Sequence, residues 1–524
     1  MKNRHIAELS AGLFAFACLV VVGCSPGSLT PHGGVVSREQ PAPRHHRKAQ
    51  PGVGPSPYIQ HVVIVIQENR SLNTIFGGSK PFPGADAQSY GYESNGSKVT
   101  LSKVEFEDTS CDIDHFYSDA VSALNTNGSG TYQMNGFNLE QQCGQNAGKF
   151  PYKYVDYAET KPYWFMASHW VLGDQFFPTE LGPSFTAHLN LIAGTDEVRQ
   201  GRAVVNFPTD WDQNPTDCAS NASQHATVDL LYKDGSVHND GTFPCFWQFH
   251  TMADLLDLGN AAGTPLSWRY YAPTVSNEGG RIWSEFDAIE RVRCGTNKPI
   301  SSGCTKAGPD WANVVTPSHQ ILKDISNGFL ANVSWVVPTL ANSDHQGCAV
   351  GSGSKCTGPE WVASIVNAVG NSKFWNSTAI VVLWDDWGGW YDEIPPPQYD
   401  FRGKAIRTAV IVISPYTILG SNYYYYGHGS VSHNQYEPGS ILKFIEKTFN
   451  LPSLSSLACN PYYYYYYPNC NVGYTDSTAQ YSIGDGTLDF TQTPRPFTPV
   501  PTPQGYGQNY FMSQPESANA PDNE

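Results

Sequence analysis

Hydrophobic and polar positions fall in blocks along this chain. Four short runs are apolar almost throughout and rich in β-branched residues: His61 to Gln67 (HVVIVIQ), Val333 to Thr339, Thr378 to Trp384 (TAIVVLW) and Thr408 to Ser414 (TAVIVIS). Such runs, each followed by polar or turn-forming residues, predict strands covered on both faces of a parallel sheet. Helical patterns lie between them over Tyr163 to Leu172, Ser184 to Ala193, Glu360 to Val369 and Ser440 to Phe449, the first and last with apolar residues at spacings of three and four. Strands alternating with helices predict an α/β fold with a mainly parallel central sheet. In such sheets reactive groups belong just past the carboxyl ends of strands. The unusual polar residues sit there: Glu68 and Asn69 close the first run, Asp385 and Asp386 close the third, and Asp344 and His345 follow the second.

The two ends of the chain read differently. Lys2 and Arg4 precede an apolar stretch, Ala11 to Val22, too short to span a bilayer comfortably, so residues 1–24 read as a processing segment. The stretch ends in Val21-Val22-Gly23-Cys24, which resembles a bacterial lipobox and implies lipidation of Cys24, an anchor rather than a span; the alternative is an ordinary signal peptide. Residues 25–56, rich in Pro, Gly and Ser with a basic HHRK patch, read as a flexible linker. No charge run or internal repeat divides the long stretch after the linker, so residues 57–455 read as one catalytic-size domain, and 456–524 as an aromatic, Pro-rich extension that is partly disordered.

Cysteine usage adds the compartment. Besides Cys18 and Cys24, ten cysteines fall into neighbouring couples: Cys111 with Cys143, Cys218 with Cys245, Cys294 with Cys304, Cys348 with Cys356, and Cys459 with Cys470. Local disulfides in an oxidising setting follow, with connectivity left open; no pair of CxxC motifs supports zinc instead. The expected location is the bacterial cell envelope or the exterior.

A formal net charge of -16 with 15% charged residues argues against nucleic acid, whose phosphates require a basic footprint. An anionic substrate must therefore meet its positive charge locally. Tyr423 to Tyr426 and Tyr462 to Tyr467 suit carbohydrate, lipid-headgroup or interfacial contacts, or packing of surface loops.

Trp384-Asp385-Asp386-Trp387-Gly388-Gly389 ends an apolar strand in two adjacent carboxylates. Burying two anions costs several kcal/mol each unless something compensates them. Either this pair or Glu68 with Asn69 could alone be a cap or a solvated loop; together at comparable strand ends they point to a cation. Ser184, after Gly182-Pro183, opens a helical pattern, where amides and dipole favour a phosphoryl oxygen, although a simple cap would look the same.

The stretch HVVIVIQENRSLNTIFGG, from His61 to Gly78, resembles the opening signature of the bacterial phospholipase C and acid phosphatase family. Further segments recur in the family's order. They are Asp112-Ile-Asp-His115 with Met134-Asn-Gly-Phe137; Gly173-Asp-Gln-Phe-Phe177 through Gly182-Pro-Ser184 to Ala193-Gly-Thr195; Ser343-Asp-His345; Trp384-Asp-Asp-Trp-Gly-Gly389 with Tyr391-Asp392 and Pro395-Pro-Pro397; and Ile413-Ser-Pro-Tyr416 through Val431-Ser-His433 to Ser440-Ile-Leu-Lys-Phe-Ile-Glu446. The resemblance covers roughly Tyr58 to Pro452.

It implies an alkaline-phosphatase-like three-layer sandwich and hydrolysis of phosphate esters through a phosphoserine. Glu68, Asn69, Asp385 and Asp386 would hold one divalent cation, with Ser184 as nucleophile and further ligand. His115, His345 and His433 would handle substrate and leaving group, and His188 and Asp344 would contact substrate. Oxygen donors favour a hard ion, Ca²⁺ first, then Mg²⁺, Mn²⁺ or Zn²⁺. The expected substrate is a phospholipid cleaved in the manner of phospholipase C, with a membrane as partner; a phosphomonoester in the manner of an acid phosphatase is the alternative, and a lipid- or glycan-binding surface lipoprotein without activity is a third. Two departures stand out. The family's ENRSFD ends here in Leu72-Asn73, and a histidine common after Asp392 is Glu393. Where many phospholipases have threonine, this chain has Ser184, as the acid phosphatase branch does, and His188 leans the same way.

Overall fold

The computed structural model describes residues 56–207, 218, 227–242, 245–259, 263–273, 282–295, 304, 307–349, 355–420, 429–458 and 472–514. Cys18, Cys24, the 25–55 linker, Cys459, Cys470 and both tyrosine runs lie outside these residues.

The centre is an eight-stranded sheet, numbered here in chain order: β1 (His61–Gln67), β2 (Val171–Phe176), β3 (Trp268–Tyr271), β4 (Val314–Val315), β5 (Val333–Val336), β6 (Thr378–Trp384), β7 (Thr408–Ile413) and β8 (Ser430–Ser432). Its spatial order is β4-β3-β5-β1-β6-β7-β2-β8. Only β7 runs against its neighbours; every other pairing is parallel. The expected α/β sandwich with a mainly parallel sheet is thus the observed fold.

Side-chain alternation shows why both faces are covered. Along β1, Val62, Ile64 and Ile66 enter one apolar core while Val63 and Val65 enter the other. The same alternation along β6 sends Ala379, Val381 and Leu383 one way and Ile380, Val382 and Trp384 the other. With one polar face missing, each strand reads as a continuous apolar run, because period-2 polarity appears only where a face meets water. Helices complete the layers. Tyr157–His169 (α1) and Gly358–Gly370 (α2) contribute to one core, and Ser184–Ala193 (α3) and Pro438–Phe449 (α4) to the other.

Two sequence readings shift. The helix expected over Tyr163 to Leu172 starts earlier, capped by Asp156, and stops at His169, because Val171–Phe176 is strand β2. Only Trp170 separates the two elements, so one apolar stretch spans both. The runs expected as strands to Thr339 and Ser414 end at Val336 and Ile413. Four short segments, Glu197–Arg199, Arg202–Val204, Val228–Tyr232 and Val237–Thr242, form a separate antiparallel sheet.

Four of the five cysteine couples are bridged as neighbour pairing suggested: Cys111–Cys143, Cys218–Cys245, Cys294–Cys304 and Cys348–Cys356. The C-terminal stretch is docked where described, with short helices at Thr475–Thr478 and Gln508–Ser513. Trp375 donates to the Arg495 carbonyl, Asn367 brackets Val500, and Glu360 accepts the amides of Gln504 and Tyr506. Among the described residues no helix is long and apolar enough to cross a membrane.

Candidate active site

Strand polarity gathers the candidate residues. β1 and β6 are parallel and in register, Gln67 opposite Trp384, so the residues that follow them emerge side by side. The Asp385 amide donates to the Gln67 carbonyl (3.0 Å), and the Asn69 amide donates to Asp385 Oδ1 (3.2 Å). Asn69 has φ 54°, the left-handed region, which Asn tolerates better than most residues. Gly388, φ 58°, lies against it so closely that a Cβ there would overlap the Asn69 carbonyl oxygen. The two strand-end loops therefore interlock backbone to backbone. Ser71 caps the short helix Leu72–Phe76 through Thr74 N–H and donates to the Tyr391 carbonyl (2.8 Å), pinning the first loop to the second.

Ser184 arrives on the first turn of α3, a helix buried on all sides that ends at left-handed Gly194. Its Oγ lies 3.2 Å from Asn69 Oδ1 and 3.2 Å from Asp386 Oδ2. One turn on, at the i+4 position that shares its helix face, His188 Nε2 lies 3.1 Å from Glu68 Oε1 and 3.5 Å from Asp385 Oδ2.

The donor-acceptor inventory orients this group. His115 Nδ1 donates to the Ile113 carbonyl (2.7 Å), which leaves Nε2 to accept from Asn69 Nδ2 (2.9 Å). That turns Asn69 Oδ1 toward Ser184. His345 stands behind, its ring 6.2 Å from that of His115, with Asp112 Oδ2 3.8 Å from His115 Nδ1 and 3.9 Å from His345 Nε2. Trp387 and Trp283 wall the two rings at 5.9 and 5.8 Å.

Burial pushes the Glu68 carboxyl well above the usual range, and Asp385 beside it adds to the shift. Burial would lower His188, but Glu68 and Asp385 outweigh it and raise the imidazole to about 10. Glu68 and His188 therefore hold protons that a bound cation would displace, whereas Asp385, against its burial, is held below its ordinary value by His188. Glu68 Oε2 and Asp385 Oδ2 are buried without a hydrogen-bond partner. Neither carboxylate pairs with Lys or Arg among the described residues. Orphaned hard acceptors in a cluster of acids fit a divalent cation, and Glu68, His188 and Asp385 hold one potential ligand atom each within 4.8 Å of one another.

Two further expected site residues are held by partners outside the Ser184 cluster. Asp344 accepts from the Trp384 indole (2.9 Å) while its carbonyl accepts from Arg70 Nε (2.6 Å), so its bonds tie strand ends together. His433, its side chain 61% exposed, holds Asp174 through Nδ1 at 3.0 Å. Asp174 belongs to a separate polar cluster around buried Arg407, which grips Asp392 through Nε (2.9 Å) and Nη2 (3.1 Å) and Glu393 through Nη2 (3.0 Å). The two family departures meet here: Asn73 donates to Glu393 and, at 3.3 Å, to Asp392. Sequence reasoning missed the segment Trp283 to Glu285, which reaches the neighbourhood of both His345 and His188 and carries no motif.

A serine on a helix N-terminus beside clustered strand-end carboxylates, in an α/β sandwich, suits an enzyme that handles phosphate esters. The chain belongs to the Phosphoesterase family, whose profile matches residues 59–452. It is 20% identical to a hemolytic phospholipase C of Pseudomonas aeruginosa over 75% of this chain and 53% of that protein. It is 23% identical to phospholipase C A of Mycobacterium tuberculosis over 66% and 62%. To non-specific phospholipase C6 of Arabidopsis thaliana it is 27% identical over 25% and 28%. The aligned region thus spans from about a quarter to under two thirds of these relatives' length.

Proposed function

We propose that this chain hydrolyses phosphate esters, with phospholipids as the substrate class, through a phosphoserine at Ser184. One observation carries the reading: Ser184 Oγ lies 3.2 Å from both Asn69 Oδ1 and Asp386 Oδ2, residues 115 and 202 positions away along the chain. Glu68, Asn69, Asp385, Asp386 and Ser184 would hold one divalent cation. When bound, it supplies positive charge that favours an ionised serine and offsets charge building on the phosphoryl oxygens.

The chain's own groups account for the remainder. Asn69, locked by His115, and Asp386 orient the Ser184 hydroxyl, and Asp386 Oδ2 accepts its proton as Oγ attacks phosphorus. The new P–Oγ bond forms as the bond to the leaving alkoxide breaks. The α3 N-terminus places its dipole toward the anionic phosphoryl group. His345, whose Nε2 lies 3.9 Å from Asp112 Oδ2, protonates the alkoxide. His345 is preferred to His433 because it neighbours His115 and hence Asn69. Water then cleaves the phosphoserine, and Ser184 recovers its proton.

Kinship with proteins named phospholipase C supports the phospholipid class, and the local disulfides support a site of action in the cell envelope or outside it. Ser184→Ala should lower kcat on the order of 10³-fold or more and abolish phosphoenzyme trapping, with the fold intact by circular dichroism. A near-normal rate would end the mechanism. Phosphatidylcholine and p-nitrophenyl phosphate, assayed side by side with and without chelator, separate the phospholipase from the acid phosphatase reading. A stoichiometric phosphoenzyme excludes a purely lipid- or glycan-binding role.

A further inference from the structure

Behind the site stands an acid that takes no part in the proposed mechanism. Glu285 opens the short turn Glu285–Ala288, which packs against α3. It is 1% exposed, and neither carboxylate oxygen has a hydrogen-bond partner. The turn is anchored: the Glu285 amide donates to the Tyr270 hydroxyl (3.3 Å), which donates to the Trp283 carbonyl (2.9 Å). The turn lies against the helix that carries Ser184 and His188 on its first two turns.

His188 presents the complementary gap. Its Nδ1 is buried without a partner, while Nε2 faces Glu68 Oε1 at 3.1 Å and Asp385 Oδ2 at 3.5 Å. Ligands about 2.1 Å from one ion and about 90–110° apart lie about 3.0–3.4 Å from each other. The spacing around Nε2 therefore suits atoms that share an ion as well as it suits a hydrogen bond. An imidazole that binds an ion through one nitrogen carries its proton on the other and directs it to a carboxylate or carbonyl.

We propose that His188 is a nitrogen ligand of the cation held by Glu68 and Asp385, and that Glu285 receives the His188 Nδ1 proton, directly or through one water, fixing the ring with its Nε2 lone pair toward the ion. The proposal rests on the cation reading of the proposed function and deepens it. Glu285 is a positioning residue, acting through His188. A mixed nitrogen and oxygen donor set favours a first-row transition ion such as Mn²⁺ or Zn²⁺ over Ca²⁺.

The test uses full-length protein stripped of metal and loaded with Mn²⁺, followed by elemental analysis and pulsed EPR. The expected result is one ion per chain with the ¹⁴N coupling of a directly bound imidazole. His188→Gln should keep the ion and lose the coupling. His115→Gln should keep the coupling. Glu285→Gln should keep it too, while Mn²⁺ affinity falls about 10- to 100-fold. Wild-type protein that binds one ion without nitrogen coupling overturns the ligand assignment and leaves the cation reading standing; protein that binds no ion overturns that reading itself. Coupling that survives in His188→Gln, or vanishes in His115→Gln, assigns the nitrogen elsewhere and refutes the proposal. Unchanged affinity in Glu285→Gln removes the positioning role. Should His188→Gln fail to fold, the wild-type and His115→Gln spectra decide the ligand.

Discussion

Two acidic pairs, one in the loop that follows β6 and the other at the ends of β1 and β6, are treated in opposite ways. Asp392 and Glu393 are clamped by Arg407, whose remaining donors are satisfied by the Asp174 and Asp86 carbonyls. Among the described residues, Glu68 and Asp385, drawn together at the ends of β1 and β6, meet no Lys or Arg: His188 faces both, the Asn69 amide donates to Asp385 Oδ1, and each keeps an oxygen without a hydrogen bond. The first pair is a finished ion network; the second is a network with its positive charge still to come. Burial alone cannot tell a structural carboxylate from a ligand; partner-poor oxygens that converge, as those of Glu68 and Asp385 do, are a sharper sign than a lone one such as Glu285.

The sharpest way to break the comparison is to remove the charge from the finished side. Arg407→Met leaves buried Asp392 and partly buried Glu393 uncompensated and should cost about 3–5 kcal/mol of unfolding free energy, equally with and without chelator. Glu68→Gln should act in the opposite sense. Burial raises the folded-state pKa of Glu68, so the protonated form is stabilising and ionisation costs stability as pH climbs. Without metal, the variant should exceed wild type by about 1–2 kcal/mol at pH 8 and lose that advantage below about pH 4, where both states are protonated. It should also lose thermal stabilisation by added divalent ions. Denaturant melts across pH, with and without chelator, read both outcomes.

A finer probe addresses the two departures from the family pattern. Asn73→Asp would set a third carboxylate against Glu393, and Glu393→His would face an amide and remove an anion from Arg407. Each alone should destabilise, and the double variant should recover about 1 kcal/mol relative to the sum, measured as a double-mutant cycle. Additive effects would mean that the contact does not couple them. The smallest effect belongs to His433, whose pKa is raised by its hydrogen bond to Asp174. That stabilisation is full below about pH 6.5 and fades as pH rises through the raised value. Being half-exposed, His433→Gln should cost less than about 1 kcal/mol at pH 5.5 and nothing at pH 9.

How much of the fold and site was legible depends on the physics of each element. β1 and β6 were readable to the residue because a strand covered on both faces has no polar alternation to blur it. α3 was readable from its start at Ser184 to its end before Gly194, although it is buried all round, because Gly182-Pro183 and Gly194 punctuate it. β2 was hidden by the helix that runs straight into it, and β3, β4 and β8 are too short to declare a period. Within the site, Glu68, Asn69, Asp385 and Asp386 are legible because they close recognisable runs, and Ser184 because it opens one. Glu285 was invisible for the converse reason: an acid in a turn between aromatic residues looks solvated until three dimensions bury it. His188 was noticed but not placed beside Glu68, since that contact spans 120 positions.

The reversed direction of β7 has a practical corollary. Because it runs opposite to β6, the chain leaving Trp384 comes back to the same rim at Thr408 without crossing the sheet. One uninterrupted stretch therefore carries two proposed ligands, the interlocking glycine, and Asp392 and Glu393 together with the arginine that neutralises them. A graft of this loop into a related scaffold would bring its own counter-charge, and recombination with breakpoints inside the two strands would disturb less than breakpoints inside the loop.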